Sequence, residues 1–397
     1  MQQTRWKFFR RYSVFLLAWA PLAACSLPPV PTQLTATATK PAPQRTVRAA
    51  DDNGAPAPRR TVRAVEDGGG TSVHEKTPPN SDRRMLIREA SLTPAIPVRT
   101  EIVKRDSFYT IKQPITRLVN FETAPFPYEG VDPTTEAQFL NVSEGGRRGH
   151  RTPRGRIYWK DETYNDRHVL LHIPKGFEIN RPAVAVLYFH GHRANLERDV
   201  RDRQLIPAQI SASKINAVLI APQFAVNASD SSAGHFWERG ACGKFYQEAA
   251  RQLAALYGEP SSEQIFAKMP IVVVAYSGGY VPAAACLHHG SFQAEVRGVI
   301  LFDALYGEVD KFANWIAENR SAFFLSAYTS YTKSSNLVLQ RVLAERNIAS
   351  LNSLSRTPRR GDVMFVSADA EHESYLTQAW VENPLMDMLA KLSDYRH

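Results

Sequence analysis

Six apolar runs, each ending in small or polar residues, constrain this chain more than any other feature. They are AVAVLYFHGHRAN (183–195), NAVLIAPQ (216–223), IVVVAYSGGY (271–280), VRGVILFDALYG (296–307), SAFFLSAYT (321–329) and DVMFVSADAEH (362–372). A strand with one wet face alternates apolar and polar residues; runs that are apolar throughout mark strands covered on both faces. Helix-like stretches separate them, at 195–213, 243–257, 279–289, 308–318 and 335–349. This alternation predicts an α/β fold, a doubly wound and mostly parallel sheet flanked by helices, over residues 151–397. In such sheets the chemistry gathers at the carboxyl ends of the strands.

One of those ends carries a serine between very small neighbours: Ala275-Tyr276-Ser277-Gly278-Gly279. A serine hydroxyl is a weak nucleophile, so an enzyme must present it on a sharp strand-to-helix turn, within reach of a base and open to substrate. Bulk two residues either side is excluded, because strand and helix nearly touch there. The usual pattern has Gly where this chain has Ala275, the smallest substitute with a side chain. The competing reading is a buried strand that ends in a Gly turn.

With its strand context, this arrangement resembles the α/β-hydrolase superfamily over residues 150–397. In that family an HG pair follows the third strand, the serine elbow the fifth, an acid the sixth or seventh, and a histidine the last. Here His190-Gly191, Ser277, Asp303 and His372 fall in that order. The strings FHGHRANLERDV, APQFAVNASDSSAGHFW, AYSGGYVPAA and LFDALYGE are similar to those of a poorly characterised bacterial group of the superfamily. The resemblance implies a Ser277-His372-Asp303 triad. Of the eleven histidines, only His372 follows a strand and precedes a helix-like stretch, whereas His288 and His289 end the helix that starts at the serine and suit capping. For the acid, Asp303 competes with Asp369, Glu371 and Glu373, which share the loop of His372. The stretch TSYTKSSNLVLQRVLAE (329–345) offers no carboxylate before Glu345.

The same resemblance implies an oxyanion hole from the backbone N–H of Gly278 and of Gly191 or His192. His190, Tyr276, His235 and Trp237 are expected to wall the substrate pocket; a covering role over the core is the alternative for Trp237. An H-x-H metal pair at 190 and 192 lacks a third ligand at sensible spacing, so neither metal nor cofactor is expected. Only one short helix fits between Asp303 and the next strand, so no large cap domain is expected. An open site for soluble esters, amides or polymer-attached acyl groups follows, unless the extension at 101–150 covers its mouth.

The amino terminus has the layout of an export signal. A basic stretch, MQQTRWKFFRR, precedes a short apolar run and then Leu22-Ala23-Ala24-Cys25. This resembles a bacterial lipoprotein signal over residues 1–24, with Cys25 lipidated as the mature first residue and Ser26 in keeping with the outer membrane. Residues 25–100, rich in Pro, Thr, Ala and Arg, read as a disordered tether containing two near-copies, PAPQRTVRAADD and PAPRRTVRAVED. Residues 1–63 carry ten Lys/Arg against two Asp/Glu, a net +8 of the total +9, so the remainder is near neutral. Nothing in it suits nucleic acid. Cys242 and Cys286 remain to pair or stay free; the AAACL setting of Cys286 favours a small, buried, unpaired thiol. The expected function is an envelope-anchored serine hydrolase acting on an ester or amide. A catalytically silent lipoprotein of the same fold, binding or scaffolding at the envelope, is the alternative.

Overall fold

The computed structural model describes residues 110–396 apart from 293, 355 and 356. The signal peptide, Cys25 and the tether therefore lie outside the described residues. Eight strands form one sheet: β1 (Ile115–Asn120), β2 (His168–Ile173), β3 (Val184–Phe189), β4 (Ala217–Pro222), β5 (Ile271–Tyr276), β6 (Val296–Phe302), β7 (Phe323–Tyr328) and β8 (Val363–Ser367). Their order is β1-β2-β4-β3-β5-β6-β7-β8. From β4 onward all pairs are parallel, while β2 runs antiparallel to both β1 and β4.

The six apolar runs supply β3 to β8, and burial explains why they do not alternate. Leu187, Phe189, Val273, Ala275 and Leu301 face one core, and Val186, Tyr188, Val274, Tyr276 and Phe302 face the other. The first core is closed by α2 (Ala241–Tyr257), α3 (Tyr280–His289), α4 (Val309–Glu318) and α5 (Lys333–Glu345), through residues such as Phe245, Ala283, Phe312 and Leu339. On the second face lie a π-helical turn (Leu196–Arg203), α1 (Ile206–Ala212) and α6 (Pro384–Ala390), contributing Val200, Ile210, Leu385 and Met388. Each face buries apolar side chains against helices, so both sides of every central strand are satisfied.

Two expectations need correction. The described part of the amino-terminal extension, residues 110–150, is not separate from the 151–397 domain: β1 is an edge strand of the main sheet, and Arg147–Arg151 pairs with both Val142–Glu144 and Ile157–Trp159 across the expected boundary. Cys242 and Cys286 are not free thiols; they form a disulfide that ties α2 to α3, with Cα atoms 5.6 Å apart. Both are buried. The small surroundings read as a place for a lone thiol are what let two helices approach closely enough to be bridged. Among the described residues, no helix is long and apolar enough to cross a membrane.

Candidate active site

Strand register brings the site together. Ala275 pairs with Phe189 on one side, and Tyr276 with Phe302 on the other. The next residues along, Ser277 on β5 and Asp303 on β6, therefore leave adjacent strands at the same height, beside the His190-Gly191 turn that follows β3. Ser277 has φ +51° and Asp303 φ +41°, in the left-handed region that side chains with a Cβ avoid. Such conformations cost on the order of 1–3 kcal/mol and persist only where the surrounding structure over-determines them.

The surroundings here do so. A Cβ on Gly279 would lie 2.3 Å from the carbonyl oxygen of Phe189, and one on Gly191 would lie 2.7 Å from Cβ of Ser277. The absence of side chains at these two positions is what permits the close crossing of elbow and loop.

Ser277 Oγ donates to His372 Nε2 at 2.8 Å, and His372 Nδ1 donates to Asp303 Oδ2 at 2.6 Å. Asp303 is completely buried. Its oxygens also accept from the Thr329 N–H (3.0 Å), the Thr329 hydroxyl (2.8 Å) and the Thr332 hydroxyl (2.6 Å). Burial pushes the carboxyl pKa up, but the hydrogen bonds from His372, Thr332 and Thr329 more than offset this, leaving it below the usual carboxylate range. The acid beside His372 is thus ionised and fixed. Asp369, Glu371 and Glu373 make no hydrogen bond to the imidazole among the described residues.

The loop carrying His372 is anchored from beneath. Tyr276 stacks its ring on the imidazole (5.2 Å, 20° between planes), and its hydroxyl donates to the His372 carbonyl at 2.7 Å. Arg203, held by Asp199 at 2.9 Å, donates to the Glu373 carbonyl at 3.2 Å, and Gln209 donates to the Leu376 carbonyl at 2.7 Å. Tyr276 is therefore a support under His372, not a pocket wall.

His190 is likewise corrected. It is buried, its Nδ1 donates to the Gly191 carbonyl (2.8 Å), and its Nε2 accepts from the Phe224 N–H (2.9 Å). Burial lowers its pKa to about 4, so it is a neutral brace between two loops. His235 and Trp237 pack against Tyr128 with centroids 5.2 and 5.8 Å away, and neither has a hydrogen bond or ring contact to Ser277 or His372. With Trp237 also against Phe139 and the His235 N–H donating to the Pro125 carbonyl at 2.9 Å, they tie the end of the loop at 223–233 to the amino-terminal segment at 125–139.

That loop reaches the site indirectly. Tyr158 accepts from the Ser229 N–H at 3.0 Å, and Tyr164 donates to Asp230 at 2.7 Å. Ser231, the next residue along, hydrogen-bonds His192 Nε2 at 2.7 Å. The His192 ring stands over Gly278, 2.5 Å from where a Cβ there would sit. Gly278 belongs to the first turn of the helical segment after Ser277. Amides in a first turn have no acceptor within their own helix and so point outward.

Tyr306 and Tyr331 complete the rim, and no motif in the sequence marks them. Each has its ring centroid 6.0 Å from that of His372. With Glu371, Glu373 and Ser374 they line a cleft of about 510 Å³ beside the imidazole. Chemically, the arrangement can abstract the hydroxyl proton of Ser277 and hold the resulting imidazolium against a buried carboxylate.

No family model and no curated protein matches the chain. Among solved structures it is similar to a ferulic acid esterase (11% identity, TM-score 0.39, 70% of this chain and 97% of that one). It is also similar to a feruloyl esterase module from Clostridium thermocellum complexed with sinapinate (15%, 0.38, 68% and 98%). A third is an S-formylglutathione hydrolase from Agrobacterium tumefaciens (12%, 0.33, 63% and 94%). Likeness at this level carries no weight for function. The strand order and the site geometry are the chain's own, and they are those of an α/β-hydrolase-type fold without a large cap domain among the described residues: only α4 and short connections lie between β6 and β7.

Proposed function

We propose that this protein is a serine hydrolase that cleaves an ester or amide through an acyl-enzyme intermediate. The observation that carries the reading is the continuous chain of hydrogen bonds from Ser277 Oγ through His372 to Asp303, on an elbow held at positive φ. Ser277 Oγ attacks the acyl carbon while His372 Nε2 takes its proton. Asp303 keeps the imidazole in the tautomer that leaves Nε2 free to accept. The Gly278 N–H, with a second amide from Gly191 or His192, stabilises the oxyanion, a contribution worth about 10²–10³ in rate per donor in such sites. The imidazolium then protonates the leaving group, and water, activated by the same histidine, releases the acyl chain. No cofactor enters this scheme.

We further propose attachment to the bacterial envelope through lipidated Cys25, with the tether carrying the enzyme off an outer-membrane surface facing the periplasm. The Cys242–Cys286 disulfide supports export, since such bonds persist in oxidising compartments. The short connections near the site favour soluble or polymer-attached acyl substrates. The test is a panel of chromogenic acyl esters of graded chain length with wild type and Ser277→Ala in parallel, and membrane fractionation of wild type and Cys25→Ser. Ser277-dependent turnover and loss of Cys25→Ser from the membrane fraction are expected; turnover that survives Ser277→Ala rejects the mechanism.

A further inference from the structure

The cleft beside His372 has an unusual lining: two tyrosines, two glutamates, a serine and the imidazole, with no lysine or arginine. Tyr331 is 64% exposed and Tyr306 43%, among the most exposed large hydrophobic residues of the described chain. Their rings stand at 67° and 89° to the imidazole plane, so both are upright walls rather than lids on it. Tyr280 extends the aromatic rim, 6.2 Å from Tyr306.

Neither Glu371 nor Glu373 has an ion-pair partner among the described residues. The nearby Arg203 reaches the backbone carbonyl of Glu373, not its carboxylate, and shares Asp199 with Arg198, so its charge is only partly balanced. Other cations act on the far end of the rim and on the oxyanion loop, Arg154 on Tyr280 and His192 and Arg193 on His192, and none of them lines the cleft. Two aromatic faces with two unneutralised carboxylates attract a cation and repel an anion.

We infer that this cleft receives a positively charged leaving group, a quaternary or protonated amine carried on the alcohol side of the scissile ester. The inference rests on the hydrolase reading, because that reading dictates which part of the substrate lies at His372. As the Ser277 Oγ–acyl carbon bond forms, its proton passes to Nε2. As the acyl carbon–alkoxy oxygen bond breaks, the same proton passes to the departing oxygen. The alcohol must therefore stand over the imidazole, and whatever it carries beyond a few atoms extends along the ring toward Tyr306, Tyr331 and the two glutamates.

The test compares kcat/KM for acetylcholine with that for its neutral isostere, 3,3-dimethylbutyl acetate, and adds a betaine ester carrying the same trimethylammonium on the acyl side. At low salt the cationic alcohol is favoured about tenfold over the isostere, from two exposed cation–aromatic contacts plus the carboxylates. The betaine ester gains no such advantage. The preference falls in Tyr331→Leu and in Glu371→Gln/Glu373→Gln, and reverses in Glu371→Lys/Glu373→Lys; all three positions are exposed, so folding is unaffected. Added salt weakens it. A ratio near one in wild type, a ratio unchanged by these substitutions, or cleavage of neither ester overturns the inference. Ser277-dependent cleavage of both esters at equal efficiency overturns it alone and leaves the hydrolase reading standing, whereas absence of any reaction at Ser277 overturns both.

Discussion

Asp303 concentrates the physical argument at the scale of single residues. A buried carboxylate without partners is costly, yet this one is held ionised by His372 and two threonines. Asp303→Asn keeps the shape but turns an amide toward Nδ1, favouring the wrong tautomer; kcat is expected to fall about 10³–10⁴-fold in an ester assay, with folding retained. A loss under tenfold would show that the carboxylate is dispensable. The hydrogen-bonded set Ser277, His372 and Asp303 was legible because strand ends and chain order single these residues out. Their supports were not. The stretch TSYTKSSNLVLQRVLAE offers no carboxylate before Glu345, whereas its threonines cradle the carboxylate of another strand. His190 and Tyr276 looked like pocket residues from their nearness in sequence to Gly191 and Ser277; side chains alternate across a strand, and Tyr276 faces the core opposite to that of Ala275.

The strand–elbow–helix unit depends on how closely β3 and α3 approach. With the Phe189 carbonyl 2.3 Å from a virtual Cβ, Gly279→Ala forces backbone to move against backbone. The expected cost is about 1–3 kcal/mol, read as a lowered midpoint in urea unfolding, together with reduced ester turnover as Ser277 shifts. Unchanged stability would mean that the elbow has slack. Legibility differed among elements for a similar reason of environment. The central strands β3 to β8 are buried on both faces and wrote themselves as apolar runs. By contrast β1, ITRLVN, is a half-buried edge with Thr, Arg and Asn, and β2 begins with a partly exposed histidine. The first lacks the apolar run of a covered strand and the second, though buried at five of its six positions, is interrupted by His172, so the antiparallel direction of these two strands is not written in the sequence. The Cys242–Cys286 bond escaped too: the two thiols are 44 residues apart, and only the packing of α2 on α3 brings them together.

For the molecule as a whole, two buried neutral histidines tie stability to pH. His172, bridging Thr116 and Ser211 at 2.8 Å on each side, and His190 both have their pKa lowered by burial to about 4, from the ordinary 6.5. Between those values the unfolded chain binds more protons than the folded one. The stabilisation is therefore full above about pH 6.5 and is lost as the pH falls toward 4, on the order of 2–3 kcal/mol per histidine at most. Thermal unfolding should show a lower midpoint at pH 5 than at pH 7, and His172→Gln should flatten the dependence; a midpoint that rises on acidification would contradict the assignment. The proposed hydrolysis depends on the reactivity of a single hydroxyl. A fluorophosphonate probe, with the modified peptide identified by mass spectrometry, tests it most directly: wild type should be labelled at Ser277 and Ser277→Ala should take up no label. A folded wild-type protein that stays unlabelled, or a label that persists in Ser277→Ala, would contradict it.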